Sequence, residues 1–108
     1  MNFNIVLTDD FKTEFKPLFK KYPSLKREIN QLGKSLQINP SQGTSIGKNC
    51  YKIRLAIRSK NTGKSGGARI ITHVKIIKQT VYLLSIYDKS EQSTIIDKEL
   101  ELRIKKIR

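Results

Sequence analysis

The sequence predicts an α+β protein in which an N-terminal strand and a helical hairpin pack on one face of an antiparallel four-stranded sheet, with a C-terminal helix. Three observations lead to this fold class. Apolar residues recur at helical spacing in the first third of the chain, they alternate with polar residues after Cys50, and short connections join the alternating segments. A chain of 108 residues is expected to form a single domain, residues 1–108.

The N-terminal third predicts one strand and two helices. The segment NFNIVL alternates as a short strand, and Thr8 and the two aspartates after it favour a helix start. Pro23 ends this helix, and Ser24 is placed to cap the next one. Each helix has one apolar stripe: Phe11, Phe15, Leu18, Phe19 and Tyr22 in the first, and Leu25, Ile29, Leu32 and Leu36 in the second. The segment INPSQGTSIGKN that follows is typical of a polar loop.

The remainder predicts three strands and a final helix. The strands are YKIRLAIR, ARIITHVKII and VYLLSIYDK, and the helix lies in STIIDKELELRIKKIR. Alternation assigns one side of these strands to the hairpin: Tyr51, Ile53, Leu55, Ile57, Ile70, Thr72, Val74, Ile76, Tyr82, Leu84 and Ile86. The opposite side is predicted to be a partly apolar groove, containing Ala56, Ile71 and Leu83, with charges at its ends.

The charge distribution indicates a polyanionic partner. The net charge is +13, and no acidic residue lies between Ile29 and Tyr87. That interval holds Lys34, Lys48, Lys52, Arg54, Arg58, Lys60, Lys64, Arg69, Lys75 and Lys78. Such a cationic block suits nucleic acid, although a basic surface that only aids solubility is the alternative.

Composition also argues against several classes of protein. A single cysteine and a single histidine provide neither an internal disulfide nor a protein-only metal site, so no metal or cofactor is expected. No apolar stretch approaches the roughly 18 residues of a membrane span, and the N-terminus lacks the layout of a secretory signal. A cytoplasmic protein without a membrane partner is therefore expected.

The outward strand positions carry a residue set suited to RNA cleavage. Attack of a 2′-hydroxyl on the adjacent phosphate needs proton transfer and charge stabilisation, which arginine, lysine and tyrosine can supply without a metal. The candidate catalytic residues are Arg54, Arg69, Tyr87 and Lys89, and the candidate nucleic-acid-binding residues are Lys52, Arg58, Lys60, Lys64, His73 and Lys75. Surrounding cations are expected to lower the pKa of a lysine or tyrosine in this set. A surface that only binds remains the alternative, and His73 is more often a surface residue than a base.

The runs KIRLAIRSKNTGKSGGARIITHV and YLLSIYDKSE, together with the leading hairpin FKPLFKKYPSLKREI, resemble the RelE/ParE toxin superfamily, and HigB-like members in particular. The resemblance covers essentially the whole chain. It implies a RelE-like fold and a cytosolic toxin of a type II toxin-antitoxin system, held inactive by a cognate antitoxin.

This resemblance further implies an mRNA endoribonuclease that acts on ribosome-bound mRNA and inhibits translation. In that reading Arg54 and Arg69 contact the phosphate, Tyr87 and Lys89 belong to the site, and Lys60 and Lys64 hold mRNA or ribosomal RNA backbone. The general base stays unassigned, because members of the superfamily differ there. A ParE-like toxin that poisons DNA gyrase, or a catalytically inactive homologue that only binds antitoxin, is the alternative.

Overall fold

The computed structural model describes residues 2–107. The predicted order of elements is confirmed, with one additional strand. In chain order the elements are β1 (Asn4–Leu7), α1 (Asp9–Lys21), α2 (Leu25–Ile38), β2 (Thr44–Gly47), β3 (Cys50–Leu55), a 3-10 turn (Arg58–Lys60), β4 (Ala68–Lys75), β5 (Thr80–Asp88) and α3 (Asp97–Lys105). None of the helices in this part of the chain is both long and apolar enough to cross a membrane.

The strands form one five-stranded sheet in the order β1-β5-β4-β3-β2. β1 runs parallel to β5, and all other neighbours are antiparallel. The prediction of a four-stranded antiparallel sheet is therefore wrong in strand number and in the direction of β1. The missed strand, β2, lies in the segment predicted as a loop. It joins β3 through Lys48 and Asn49, whose positive φ angles of 56° and 58° are those of a two-residue type I′ hairpin turn.

The hairpin forms as its capping signals predict, with one exception. The Thr8 side chain caps α1 by accepting a hydrogen bond of 3.3 Å from the Phe11 amide, and α1 continues through Pro17 to Lys21. Ser24, by contrast, makes no capping bond. Its hydroxyl instead contacts Ser59 and donates to Glu28, so it ties the start of α2 to the turn after β3.

The hairpin packs on one side of the sheet, which we call the hairpin face. Its core contains the buried stripes of both helices and every second residue of β3 and β4. The buried members are Phe11, Tyr22, Leu25, Ile29, Leu32, Leu36, Ile53, Ile57, Ala68, Ile70, Val74, Val81, Leu83 and Ile86. Burial of this apolar surface is the main stabilising contribution to the fold.

The opposite side, the outer face, carries a second core rather than an open groove. The chain after β5 returns across this face, and α3 packs on it. The buried residues are Cys50, Ile71, Tyr82, Leu84, Tyr87, Ile95 and Leu100. We call the part of the chain that covers this face, residues 89–107, the C-terminal segment. The prediction of a groove is wrong wherever this segment covers the sheet.

A bulge in β5 explains the errors of face assignment in this strand. Ile71 pairs with Ser85 and Thr72 pairs with Leu83, so Leu84 is an extra residue in β5. Residues before the bulge therefore lie on the side opposite to the one predicted. Leu83 belongs to the hairpin core, and Tyr82 and Leu84 belong to the outer core. Ile76 was also misassigned, because it follows the end of β4 and is 73% exposed.

The pairing of β1 with β5 ends at Leu83, and an ion pair binds the edge of β5 just beyond this point, at the bulge. Arg103 of α3 binds both carboxylate oxygens of Glu14 in α1, at 2.8 and 3.0 Å, and donates to the Leu84 carbonyl at 2.9 Å. Glu14 in turn accepts a hydrogen bond of 3.3 Å from the Ile86 amide. The pair thus satisfies two backbone groups of β5 that a neighbouring strand would otherwise bind.

Candidate nucleic-acid interface

Three of the four candidate catalytic residues form one row across the sheet. Arg54 of β3 lies directly opposite Arg69 of β4, and Arg69 lies directly opposite Tyr87 of β5. Residues paired in this way point to the same side of a sheet, with Cβ atoms about 5 Å apart. The cross-strand row, Arg54, Arg69 and Tyr87, therefore lies on the outer face, as alternation predicted.

Arg69 is buried, with only 5% of its surface exposed. Its Nη1 donates to the Lys64 carbonyl at 2.8 Å and to the Ala68 carbonyl at 3.1 Å, and its Nη2 donates to the Ser65 carbonyl at 3.4 Å. The guanidinium therefore holds the loop between β3 and β4 against the sheet. We call this loop, residues 56–67, the basic loop. No hydrogen bond from its Nε is found within residues 2–107, so that edge of the group keeps a donor for a ligand.

Two glycines allow the basic loop to close over Arg69. Gly63 has a φ of +67°, in the left-handed region that residues with a Cβ avoid. Gly67 approaches β3 so closely that a Cβ there would overlap the Leu55 carbonyl oxygen. Glycine at these two positions thus provides a turn and a close approach, rather than general flexibility.

Tyr87 is buried against the C-terminal segment, and its hydroxyl makes no hydrogen bond within the described residues. The Thr94 side chain approaches it without hydrogen-bond geometry. Burial raises the pKa of the phenol, and the charge of Arg69 and the proximity of Thr94 offset this only in part. The predicted lowering of the pKa is therefore wrong for this tyrosine. Tyr87 is neutral at physiological pH and can donate a proton or a hydrogen bond.

Arg54, Lys52 and Lys89 surround the buried part of the row. Arg54 is exposed, whereas Lys52 and Lys89 are half-buried. The Lys89 amide donates to the Gly67 carbonyl at 2.9 Å, which places this lysine beside the basic loop. Among the described residues, no acidic side chain forms an ion pair with any of these three cations.

Asp88, which the sequence reading overlooked, organises the other end of the basic loop. This buried carboxylate pairs with the Lys60 ammonium group and accepts hydrogen bonds from the Tyr22 hydroxyl at 3.1 Å and from the Ser90 amide and hydroxyl. Burial alone would raise its pKa, but the bonds from Lys60 and Ser90 outweigh burial and lower the pKa to about 2. Lys60, a candidate nucleic-acid-binding residue, is thus engaged within the protein.

We expect Asp88 to make the free energy of unfolding decrease as the pH falls into the acid range. Because its folded pKa lies below the unfolded value, the carboxylate stabilises the fold above about pH 4, and this contribution is lost as pH falls towards 2. The loss amounts to about 2 kcal/mol. Urea unfolding between pH 6 and pH 2 should show this decrease for the wild type and a smaller one for Asp88→Asn.

The matched control is Glu101→Gln, which alters the exposed carboxylate that pairs with Lys48. This variant should follow the wild-type pH profile, because an exposed ion pair contributes little. Parallel wild-type and Asp88→Asn profiles between pH 4 and pH 2 would show that Asp88 has no such role.

His73 and Lys75 lie at the far end of β4. His73 is four residues from Arg69 along the strand, roughly 13 Å away, and it pairs with Cys50 and Tyr82. Its Nδ1 lies 3.4 Å from the Cys50 Sγ. Burial and the nearby Lys75 lower the pKa of His73, while burial raises the pKa of the Cys50 thiol to about 11, so both groups are uncharged near neutrality. Lys75 lies over the Tyr82 ring, 6.0 Å from its centroid.

The structure therefore gathers part of the predicted set. Arg54, Arg69 and Tyr87 lie in one row with Lys52 and Lys89 beside it. Arg58 and Lys64 are exposed at the loop, Lys60 is bound to Asp88, and His73 and Lys75 are remote. Residues 2–107 hold no cluster of three His, Cys, Asp or Glu side chains that could bind a metal ion.

No family model matches the sequence. Solved structures of similar fold are known. A free-state variant of the Escherichia coli toxin RelE has a TM-score of 0.63 at 16% identity, with 100% of both chains covered. The isolated E. coli RelE toxin has a TM-score of 0.53 at 20% identity, covering 98% of this chain and 99% of that one.

The E. coli RelBE toxin-antitoxin complex has a TM-score of 0.51 at 20% identity, covering 80% of this chain and 95% of that one. The matches to the free toxin extend over essentially the whole chain and so include the sheet, the hairpin and the C-terminal helix. With the cross-strand row on its outer face, the chain has the fold of the RelE toxin.

Proposed function

We propose that this protein is a toxin of a type II toxin-antitoxin system, of the RelE/ParE superfamily, that cleaves mRNA as an endoribonuclease. The observation that carries the proposal is the cross-strand row, which places two guanidinium groups and a phenol on one side of a RelE fold. Cations surround the row, as an RNA phosphate requires, and within residues 2–107 no acidic side chain pairs with Lys52, Arg58, Lys64 or Lys89.

The proposed reaction is attack of a 2′-hydroxyl on the adjacent phosphate, which releases the 5′-oxygen of the next nucleotide. Arg54 and the Nε edge of Arg69 bind the phosphate oxygens and stabilise the charge that develops on them. Tyr87, whose phenol is neutral near pH 7, protonates or hydrogen-bonds the leaving oxygen. Lys89, beside the loop, adds positive charge at the same phosphate. The proton of the attacking 2′-hydroxyl passes to water, and the groups named here act without a metal or cofactor.

Ribosome-bound mRNA is the proposed substrate, and a cognate antitoxin is the proposed partner. The RelBE complex, in which a toxin of this fold is bound to an antitoxin, supports the second assignment. The toxin and its targets would meet in the cytoplasm. Lys52, Arg58 and Lys64 are the cations best placed to hold RNA backbone near the row, whereas Lys60, His73 and Lys75 have partners inside the protein.

The burial of Arg69 and Tyr87 favours a second candidate function. With 5% and 4% of their surfaces exposed, these side chains reach a substrate only if the loop over Arg69 and the C-terminal segment over Tyr87 move. A protein that only docks, as a ParE-like gyrase poison or as an inactive antitoxin-binding homologue, does not need such movement.

Primer extension on translating ribosomes separates the two candidates. We expect the purified protein to produce new 5′ ends within mRNA on ribosomes. Growth inhibition with intact mRNA would reject the nuclease and favour the gyrase poison. The absence of both cleavage and growth inhibition would identify an inactive homologue.

A further inference from the structure

The helical hairpin carries a basic groove on the side away from the cross-strand row. This groove, of about 950 Å³, lies along α2, and we call it the hairpin groove. Its cations are Lys26, Arg27, Lys34 and Arg58. The side chains of these four residues form no ion pair with any acidic group in residues 2–107, although ion pairs engage Lys21, Lys48, Lys60, Arg103 and Lys106 elsewhere.

Among the described residues, Glu28 is the only acidic residue that lines the hairpin groove, and its carboxylate already accepts hydrogen bonds from the protein. It accepts hydrogen bonds from the Arg58 amide at 2.8 Å and from the Ser24 hydroxyl at 3.2 Å, and the residue is 8% exposed. The Glu28 carboxylate is therefore engaged by the Arg58 amide and the Ser24 hydroxyl. The groove surface that a ligand meets is positive.

An aromatic ring lies at the edge of this positive surface. Phe11, Phe15 and Phe19 of α1 stack in a ladder, with ring centroids 6.1 and 5.6 Å apart and nearly parallel planes. Phe11 is buried in the core, whereas Phe19 is 36% exposed and lines the groove. A ring that is held flat by its neighbour is a ready platform for a nucleic-acid base.

The hairpin groove adjoins a second cleft that leads to the cross-strand row. This cleft, of about 380 Å³, shares Glu28, Gln31 and Arg58 with the hairpin groove and also contains Arg54 and Lys64. A continuous line of cations thus runs from Lys34 on α2, past Arg58, to Arg54. The spacing of cations and an exposed ring along a continuous surface is the pattern used for single-stranded nucleic acid.

We infer that the hairpin groove binds single-stranded RNA that flanks the phosphate held at the cross-strand row, with a base stacked on Phe19. This inference rests on the proposed function for the identity of its ligand. Arg27 and Lys34 bind backbone phosphates, and Arg58 joins the two grooves. The RNA would then contact two faces of the protein around the edge of β3.

The test measures binding of a fluorescein-labelled, mixed-sequence 2′-O-methyl RNA of about twelve nucleotides by fluorescence anisotropy. The methyl group blocks 2′-hydroxyl attack, so binding is measured whether or not the protein cleaves RNA. We expect Arg27→Gln/Lys34→Gln to weaken binding about fivefold or more near 0.1 M salt, and to lower the magnitude of the log-log salt slope by about 1.4.

The matched control is Lys98→Gln/Lys105→Gln, which removes the same charge from exposed positions on α3. It should leave both the affinity and the slope close to wild type. Phe19→Leu should weaken binding about fivefold, whereas Phe19→Tyr, which keeps the ring, should not. Thermal unfolding of the four variants confirms that each is folded.

Two outcomes would overturn the inference. In one, the groove and control double variants lose equal affinity, so that only net charge matters. In the other, polyglutamate competes with the RNA, the groove variant loses affinity for both, and Phe19→Leu behaves like Phe19→Tyr, which would identify a site for an acidic polypeptide. If 2′-O-methyl RNA binds in the groove as expected but mRNA on ribosomes stays intact, the proposed nuclease function fails and the groove assignment stands.

Discussion

Replacing Arg69 with alanine should lower mRNA cleavage at least about 100-fold and also destabilise the protein by about 1–3 kcal/mol. The first effect follows from loss of a guanidinium at the phosphate. The second follows because the carbonyls of Lys64, Ser65 and Ala68 lose their donor. Single-turnover cleavage on ribosome-bound mRNA and urea unfolding measure the two effects.

Arg54→Ala is the matched control, because Arg54 lies in the same row but is exposed and its side chain has no partner among the described residues. It should lose cleavage at least tenfold with no change in stability beyond about 0.5 kcal/mol. Arg69→Ala with wild-type cleavage would remove Arg69 from the proposed site. Arg69→Ala with wild-type stability would show that its bonds to the loop contribute nothing to the fold.

Replacing Arg103 with methionine should produce the largest loss of stability, about 2–4 kcal/mol. The change leaves the Glu14 carboxylate without its bidentate partner and the Leu84 carbonyl without its side-chain donor, while the methionine retains much of the apolar stem. Urea unfolding at neutral pH measures the loss.

Lys106→Met provides the control, since Lys106 pairs with Asp10 on the same side of α3 but is 66% exposed. It should change stability by less than about 0.5 kcal/mol. The double variant Glu14→Gln/Arg103→Met should be more stable than the sum of the two single effects predicts, because the unpaired charge is removed. Strictly additive losses would argue against a coupled pair.

Alternation in β3, in β4 and in the second half of β5 was sufficient to predict the cross-strand row, but the first half of β5 shows where such reasoning fails. Tyr87 and Ile86 follow the bulge and lie on the predicted sides, whereas Tyr82, Leu83 and Leu84 precede or form it and do not. A bulge changes the count by one residue without any change in composition. The sequence VYLLSIYD has no glycine or proline to mark it.

The local sequence pattern also could not predict the direction of β1 or the side of the sheet that the C-terminal segment covers. NFNIVL reads equally well as a parallel or an antiparallel strand, because alternation does not depend on the neighbour. The segment STIIDKELELRIKKIR predicted a final helix but not the side of the sheet against which it packs. For β2, the sequence TSIG contains one apolar residue, and Lys48 and Asn49 lack the glycine that usually marks a type I′ turn, so the local pattern did not indicate a hairpin.

Burial of the site residues could not be predicted, because it results from contacts distant in sequence. Arg69 and Tyr87 are polar residues at outward positions, and only the closing loop and the C-terminal segment bury them. The role of Asp88 depends on Lys60 and Tyr22, which lie 28 and 66 residues away in the chain. Such a network has no signature in the spacing of residues.

The bond between Arg103 and Glu14 joins residues 89 positions apart, and β1 pairs with a strand near the other end of the chain. A nascent chain in which α3 is still inside the ribosomal exit tunnel lacks this ion pair, because Arg103 is not yet available to Glu14. The complete fold is therefore expected only once α3 has emerged from the ribosomal exit tunnel, because α1 and β1 have partners that are synthesised much later.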